Sequence, residues 1–455
     1  MQILTIILLN FLFYWRTLKY EFISDDKAIQ ARTPEGGYPN PKNAWQRFYM
    51  QFRCRRYINS REVHLMNFVV HLINCVLIYV VFGMNDIAFL TAILFTINPI
   101  NLQCVAWCSG RAYAISTTLV LCMFILPFMA PLFFYLTRFF SVNAIFAPLC
   151  FITTKYWYLA LMVPVGLWLE RKRLKEKSTT SVSVEMKTIG LRKVVTFIKT
   201  FGYYFMMCLF PVRLGWHHQF VWGIGVTKKY NDQCYSINKE FRYGLAIFYF
   251  VVINIFLNWS PFVWGLLWFS INIAMWCNFI TWQQQIAERF CYLANVGMMY
   301  VLAGFLLTLP TPLNLLLIGI FIGGYAIKNW ITTPAYKNEY WRIEQSIMDI
   351  PNSHYAWLYR GFKKFHAQDY VGALYDFQEA RVHSTHEFKV NFNIASCFIM
   401  LQQIEEAKKY LKYAEDEMYI GEEPRLKPIV DNMWAFIKEI EETKQINVQK
   451  VVLFS

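Results

Sequence analysis

Two adjacent carboxylates, Asp25 and Asp26, follow the first apolar run of the chain, in Glu21-Phe22-Ile23-Ser24-Asp25-Asp26-Lys27-Ala28-Ile29. Paired carboxylates at a membrane–water boundary lose hydration and repel each other, so one of them can keep its proton to a higher pH. Such a group suits a general base that takes the proton of an acceptor hydroxyl. The plainer reading is an acidic pair solvated at the start of a loop. A second charged pair, Glu288-Arg289, stands where another apolar run begins, in Gln283-Gln284-Gln285-Ile286-Ala287-Glu288-Arg289-Phe290-Cys291-Tyr292-Leu293. Charges at membrane depth cost about 2.5–3.5 kcal/mol each on insertion scales and face a cavity and a partner. An arginine there suits a phosphate, because it is permanently charged and donates two parallel hydrogen bonds. Its plainer reading is an interfacial ion pair that snorkels to water.

Two further segments carry cations. Phe210-Pro211-Val212-Arg213-Leu214-Gly215-Trp216-His217-His218 places Arg213 and two histidines just past an apolar run, where they could hold a phosphate or a metal. Adjacent histidines point in different directions in regular structure, which weighs against a metal. Asn98-Pro99-Ile100-Asn101-Leu102-Gln103-Cys104-Val105-Ala106-Trp107-Cys108-Ser109-Gly110-Arg111 reads as a polar turn between two runs, with Arg111 either on the side of the acidic pair or a simple interfacial anchor. There is no glycine-rich phosphate loop, no His-Glu-x-x-His and no Gly-x-Ser-x-Gly, so nucleotide and serine hydrolysis have no support.

The elements that position these residues are membrane helices. The 455 residues are 56% hydrophobic and only 16% charged, with 18% aromatic residues and a mean hydropathy of +0.29. Ordinary soluble domains are nearer a quarter charged. Runs close to the twenty residues that cross about 30 Å of hydrocarbon fill most of positions 2–330. They predict ten or eleven spans, at 2–16, 64–83, 87–105, 112–128, 130–153, 155–169, 196–211, 242–258, 260–279, 290–309 and 312–329. The stretch 128–153, with Pro127, Pro131 and Pro148 in or beside it, could also be a broken helix or re-entrant hairpin. The first run lacks a basic start and a small-residue cleavage site, so it reads as a retained helix rather than a signal peptide.

The net charge of +14 sits in loops between runs. Basic residues flanking spans explain it without nucleic acid, for which no binding module is visible. The segment 170–195, with Arg171, Lys172, Arg173, Lys175, Lys177, Lys187, Arg192 and Lys193, should be cytoplasmic. That places loops 17–62 and 212–241 and the C-terminal part outside, although loop 17–62 is itself basic. Most of the eleven cysteines lie in or beside apolar runs and imply no disulfide framework.

From residue 331 the sequence reads as soluble, in a domain over 331–455. Trp357, Gly361, Ala373, Phe377 and Ala380 are followed in a second register by Ala395, Ala407, Leu411 and Ala414. Gly361 and Ala395 are 34 residues apart, the tetratricopeptide period. This predicts repeats at 354–387 and 388–421 and a capping helix at 425–441, either a peptide-binding groove or a packing platform.

Taken in order, these segments resemble the transmembrane and tetratricopeptide-repeat O-mannosyltransferase family, membrane glycosyltransferases of the GT-C architecture. Phe22 to Ile29 looks like the family's first-loop Asp-Asp segment, and His64-Leu65-Met66-Asn67 with His71 like its His-Leu-x-Asn span start. Asn98-Pro99 through Val105-Ala106-Trp107 and Ser109-Gly110-Arg111 looks like its His-Pro…Val-Ala-Trp-x-x-Gly-Arg segment. Ala287-Glu288-Arg289-Phe290-Cys291-Tyr292-Leu293, then Val296-Gly297, looks like its Ala-Glu-Arg-x-x-Tyr-Leu-Pro-Ser-x-Gly segment. The chain departs at Asn98 (usually His), at Ala294-Asn295 (usually Pro-Ser) and in its short repeat domain.

The resemblance implies an all-α, GT-C-type helix bundle over 1–330 followed by a tetratricopeptide α-solenoid. It implies inverting transfer of a sugar, mannose in the family, from a polyprenyl- or dolichyl-phosphate donor to a protein Ser/Thr or another extracytoplasmic acceptor. Asp25 or Asp26 would be the base, and Arg289, Arg111 and Arg213 the phosphate partners. Glu288 would orient Arg289, with His64 and His217 in support. No resident metal is implied, though a divalent cation would be compatible. Partners would be the lipid-linked donor, the acceptor and membrane lipids, in a bacterial inner membrane or endoplasmic reticulum with the repeats on the periplasmic or lumenal side. The competing readings are a non-catalytic membrane scaffold that holds partners on its repeats, and a lipid-substrate transporter, for which the spans lack the two similar halves often seen.

Overall fold

An apolar run becomes a spanning helix only where nothing breaks its hydrogen-bond ladder, and breaks are frequent here. The computed structural model describes residues 1–23, 26, 60–140, 142–180, 191–215, 239–257, 262–279, 286–383, 387–420, 426–446 and 451–453, and these form helices joined by turns and short non-helical stretches, with no sheet. Five helices are long and apolar enough to cross a membrane: Ser60–Val81, Cys108–Ile125, Lys239–Leu257, Glu288–Thr308 and Leu313–Tyr336. A bent pair, Asp86–Ile97 with Pro99–Val105, makes a sixth if it counts as one span. These lengths and compositions are those of a multi-pass membrane protein. The ten or eleven spans expected from apolar runs are thus reduced among the described residues to five or six. The first run gives thirteen residues of α-helix, Gln2–Tyr14, before tightening into a 3-10 turn. Prolines divide 127–161 into short pieces. Leu191–Leu209 carries Arg192, Lys193 and Lys199, and Val263–Cys277 is too short.

In chain order the α-helices are α1 Gln2–Tyr14, α2 Ser60–Val81, α3 Asp86–Ile97, α4 Leu102–Val105, α5 Arg111–Ile125, α6 Ala130–Thr137, α7 Met162–Thr180, α8 Leu191–Leu209, α9 Lys239–Leu257, α10 Val263–Ala274, α11 Cys291–Thr308, α12 Leu313–Thr332, α13 Glu339–Asp349, α14 His354–His366, α15 Tyr370–His383, α16 Glu387–Met400, α17 Ile404–Ile420 and α18 Lys427–Thr443. They divide into two compact units, one of residues 1–181, 193–214 and 237–342, the other made mostly of 343–455.

In the first unit α11 is central and packs on α3, α5 and α10, while α2 packs on α3 and α5. His64, Asn67, His71 and Asn74 of α2 recur at helical spacing and are all buried. Because an apolar surround offers no water, each polar group needs a protein partner. The His71 ring meets the Tyr292 hydroxyl at 2.6 Å, and Asn74 donates to the Ala114 carbonyl at 2.9 Å and accepts from Thr118 at 2.7 Å. Pro99 disfavours helix at the residue before it, and Asn98 is extended there, with the two helical pieces bent by 55°. The Asn98 side chain repairs the break: it accepts from the Ile100 N–H and donates to the Cys208 carbonyl, both at 3.0 Å.

In the second unit two helical hairpins, α14–α15 and α16–α17, are followed by α18 around one apolar core that includes Ala373, Phe377, Ala395, Ala407, Leu411 and Ile437. The two hairpin turns are alike bond for bond at an offset of 34. Gln368 and Gln402 both take the left-handed conformation, and their N–H groups donate to Phe365 and Ile399. The Asp369 and Gln403 N–H groups donate to Lys364 and Phe398 in the same way. Asp376 is buried, but Arg360 grips it through two hydrogen bonds of 3.0 and 2.9 Å, and Lys364 adds a contact of 2.9 Å. Both oxygens of this buried carboxylate are thus paired, and Arg360 also reaches Glu344 at 3.1 Å.

Helices α10 and α11 cross backbone to backbone where Gly265 meets Gly297. A Cβ added at Gly297 would lie 2.5 Å from the Gly265 carbonyl oxygen. In an exposed helix interior Gly→Ala gains about 1 kcal/mol. Here Gly297→Ala is expected to reverse that sign and cost about 1–3 kcal/mol through overpacking, read as a lowered melting temperature of the purified protein.

Candidate functional site

After α1 and its 3-10 turn the chain runs extended through Phe22, which packs with Val63 of α2 and with Cys108. Glu21 is tied by its N–H to the Lys337 carbonyl at 3.0 Å, and the Asp26 N–H donates to Ile23 at 3.1 Å. These contacts carry Asp26 into a buried position against the turn before α5. Its Oδ1 accepts from the Ser109 hydroxyl at 2.6 Å and the Ser109 N–H at 3.0 Å. Its Oδ2 has no hydrogen-bond partner among the described residues. Burial pushes the Asp26 carboxyl up to about 7, against the opposing pull of the Ser109 hydrogen bonds. A carboxylate that titrates there is a competent base at neutral pH.

Arg289 lies buried on the 3-10 turn before α11. Its guanidinium is boxed by rings: Phe290 at 4.9 Å, Trp107 at 5.4 Å and Tyr113 at 6.0 Å. Trp276 stacks on Phe290 at 3.8 Å and closes the cluster behind it. The Arg289 Nη1 finds no hydrogen-bond partner among the described residues, although the side chain is only 8% exposed. Aromatic faces stabilise a cation without satisfying its N–H groups, so this guanidinium keeps donor capacity for an anion.

One short segment serves both groups. In residues 98–111 the Gln103 side chain accepts from the Arg289 N–H at 2.8 Å, Trp107 supplies a ring to Arg289, and Ser109 holds Asp26. Asn67 of α2 fixes the segment by donating to the Trp107 carbonyl at 2.9 Å and the Val105 carbonyl at 3.3 Å. Gly110 completes it: a Cβ there would collide with the Gln103 carbonyl oxygen, on the residue that holds the Arg289 backbone.

The other expected residues fall as follows. His64 is buried, with its Nε2 3.6 Å from the Cys108 sulfur, beside the Asp26–Ser109 contact. Arg111 is buried with Nη1 3.3 Å from Met66 Sδ, and Cys108 lies within electrostatic range of both Arg111 and Asp26. Glu288, expected to orient its neighbour Arg289, makes its ion pair with Arg342 at 3.9 Å and accepts from the Tyr336 hydroxyl at 3.4 Å. On a 3-10 turn adjacent side chains diverge, so Glu288 and Arg289 face different surroundings. Arg213 is exposed after α8 rather than drawn into the buried cluster. Asp25 and His217 lie outside the described residues. Among the described residues no three His, Cys, Asp or Glu side chains converge as metal ligands.

The residues that motif reading passed over are Asn67 as a clamp, Ser109, Gln103, Arg342 and the aromatic box. For Asn67 the signal is positional: it shares one face of an apolar helix with His64, His71 and Asn74, and polar groups confined to one face of a membrane helix point inward.

The titration of Asp26 has a stability consequence. Its folded value lies above the ordinary carboxyl value, so the folded state holds the proton more tightly. The contribution is fully present below about pH 4 and is lost as pH rises to about 7, by on the order of 4 kcal/mol. Asp26→Asn is expected to flatten the pH dependence of the melting temperature between pH 4 and 7. An unchanged slope would contradict this account.

No family model, curated protein or solved structure matches this chain, so a functional reading rests on this geometry.

Proposed function

We propose that this chain is a GT-C-type membrane glycosyltransferase that moves a sugar, mannose by resemblance, from a polyprenyl- or dolichyl-phosphate to an acceptor hydroxyl outside the cytoplasm. The observation that carries the reading is the 98–111 segment, which holds a buried carboxylate at Ser109 and contributes to the box around a buried guanidinium at Trp107. Inverting transfer needs these two functions together. A base removes the acceptor proton as the hydroxyl attacks the anomeric carbon, and a fixed cation stabilises the departing lipid phosphate, whose charge grows in the transition state. In this reading Asp26 is the base, Arg289 the phosphate partner, Ser109 the residue that orients the carboxylate, and Arg111 a second positive charge on the same turn. Glu288 acts through Arg342 and Tyr336.

In the second unit, the paired turns at Gln368 and Gln402 and the shared core of Ala373, Phe377, Ala395, Ala407 and Leu411 support two tetratricopeptide repeats, with α18 as the cap. The protein would reside in a bacterial inner membrane or the endoplasmic reticulum with these repeats on the periplasmic or lumenal side, a placement supported by the basic stretch 170–195.

Labelled polyprenyl-phosphate mannose supplied to membranes bearing the protein tests the reading. Wild type is expected to transfer the sugar with a rate that rises through about pH 7 as Asp26 ionises. At equal protein level, Asp26→Asn is expected to lose about 10²–10⁴-fold. Arg289→Lys should retain more activity than Arg289→Ala, because it keeps a charge without the planar fork. No transfer from any of several lipid-linked sugars, with Asp26→Asn and Arg289→Ala cells indistinguishable from wild type, would instead favour a scaffold.

A further inference from the structure

Large aromatic rings gain by leaving water, yet four of them stand uncovered where two apolar helices end. The C-terminal ends of α1 and α12 are joined there. Asn329 donates to the Tyr14 hydroxyl at 2.9 Å, and Arg16 donates to the Trp330 carbonyl at 2.7 Å with its guanidinium 4.1 Å over the Trp330 ring. The Glu21 N–H reaches the Lys337 carbonyl at 3.0 Å. Around these ties Trp15, Trp330, Tyr340 and Trp341 are each more than half exposed. Arg16, Lys19 and Lys337 are the cations of the same stretches, and Glu21 and Glu339 the acids.

Tyr340 and Trp341 belong to the first turn of α13, and chain connectivity dictates where that turn lies. Leu313–Tyr336 is long and apolar enough to cross a membrane, and α13 begins at Glu339, after only Lys337 and Asn338. Two residues reach about 7 Å at most. Asn338 closes the junction: its side chain accepts from the Trp341 N–H at 3.1 Å, and its carbonyl accepts from the Arg342 N–H at 3.2 Å. The first turn of α13 therefore starts at the edge of the span, whatever direction the rest of the helix takes. Arg342, next in sequence, is buried, with its guanidinium 4.2 Å over the Tyr336 ring and its ion pair to Glu288 at 3.9 Å. Arg342 faces the protein, and Tyr340 and Trp341 face away from it.

Rings that carry one polar atom favour the headgroup layer, where the ring meets acyl chains and the N–H or O–H meets ester and phosphate oxygens. Lysine and arginine reach phosphate from the same level. We propose that Tyr340 and Trp341, with Trp15, Trp330 and Lys337, form a headgroup-level anchor whose partner is the phospholipid of the surrounding leaflet. The Glu288–Arg289 turn is then joined, through one ion pair, to a helix held in the lipid surface. The inference concerns lipid contact and stands whether or not the chain transfers sugar.

The test uses the full chain in phosphatidylcholine nanodiscs. With p-benzoylphenylalanine in place of Trp341, irradiation is expected to give phospholipid adducts of the intact chain by mass spectrometry. The same probe in place of Ile320, 58% exposed within the span, is the positive control. Adduct at 341 no greater than in the irradiated chain without the probe overturns the proposal. Hydroxyl-radical footprinting in the same nanodiscs needs no substitution. Tyr340 is less covered by protein than Tyr413 of α17, 61% against 39% exposed. Lipid cover is expected to make Tyr340 the slower of the two to oxidise. Oxidation at or above the rate of Tyr413 overturns the proposal. So does protection of Tyr340 without a lipid adduct at 341, because protein would then be what covers this face.

Discussion

The amide of Asn67 reaches from the middle of an apolar helix to two backbone carbonyls of a turn, those of Val105 and Trp107. Inside an apolar layer an unpaired carbonyl costs far more than it would in water, because no solvent can replace the lost partner. A non-helical turn at such depth therefore exists only where side chains complete its backbone. Asn98, Asn101 and Asn67 do so in sequence: Asn98 at the break after α3, Asn101 by donating to the Phe95 carbonyl at 2.7 Å, and Asn67 at the far end. Everything assigned to the site hangs from this turn.

With the turn fixed, the two charged groups come into different environments. Asp26 is surrounded by backbone and a hydroxyl that serve one of its oxygens, so its charge is disfavoured but not forbidden. Arg289 is surrounded by aromatic faces, which accept its charge while leaving an N–H unsatisfied. Opposite charges placed this way are not used up by pairing with each other. Asp376 in the second unit shows the contrast: it is equally buried, yet Arg360 and Lys364 satisfy it fully, which leaves it a structural role.

Several of these features were legible in the amino-acid order. Asp26, Arg289, Arg111 and the 98–111 segment stand out as charges and polar residues in the wrong surroundings, and that wrongness is the signal. The helical character of the chain was legible in the lengths of the apolar runs and in the spacing of small and apolar residues after position 354. Among the described residues fewer spans appear than the apolar runs suggested, because a hydropathy window adds up apolar side chains and does not register what Pro127, Pro131 and Pro148 do to a hydrogen-bond ladder. The pairing of Glu288 with Arg342 was not legible, for a different reason. Sequence neighbours share a backbone but not a direction, and Arg342, more than fifty residues on, occupies the direction in which Glu288 points. The aromatic box was invisible for want of any local pattern, since Trp107, Tyr113 and Phe290 are drawn together only by the packing of three separate segments.

Buried area is shared unevenly among the long apolar helices, and this bears on the bilayer itself. Glu288–Thr308 has 78% of its apolar window enclosed by protein, whereas Lys239–Leu257 has 11% and Leu313–Tyr336 has 17%. The last two are covered little by protein among the described residues, and their lengths differ, at 19 and 24 residues. At 1.5 Å per residue they would extend about 28 and 36 Å, on either side of a hydrocarbon thickness of about 30 Å. A thinner membrane favours the shorter helix and tilts the longer; a thicker one does the reverse. Sensitivity to lipid thickness is therefore concentrated in these two helices, while the one that begins at Glu288-Arg289 is the most enclosed by protein of the five.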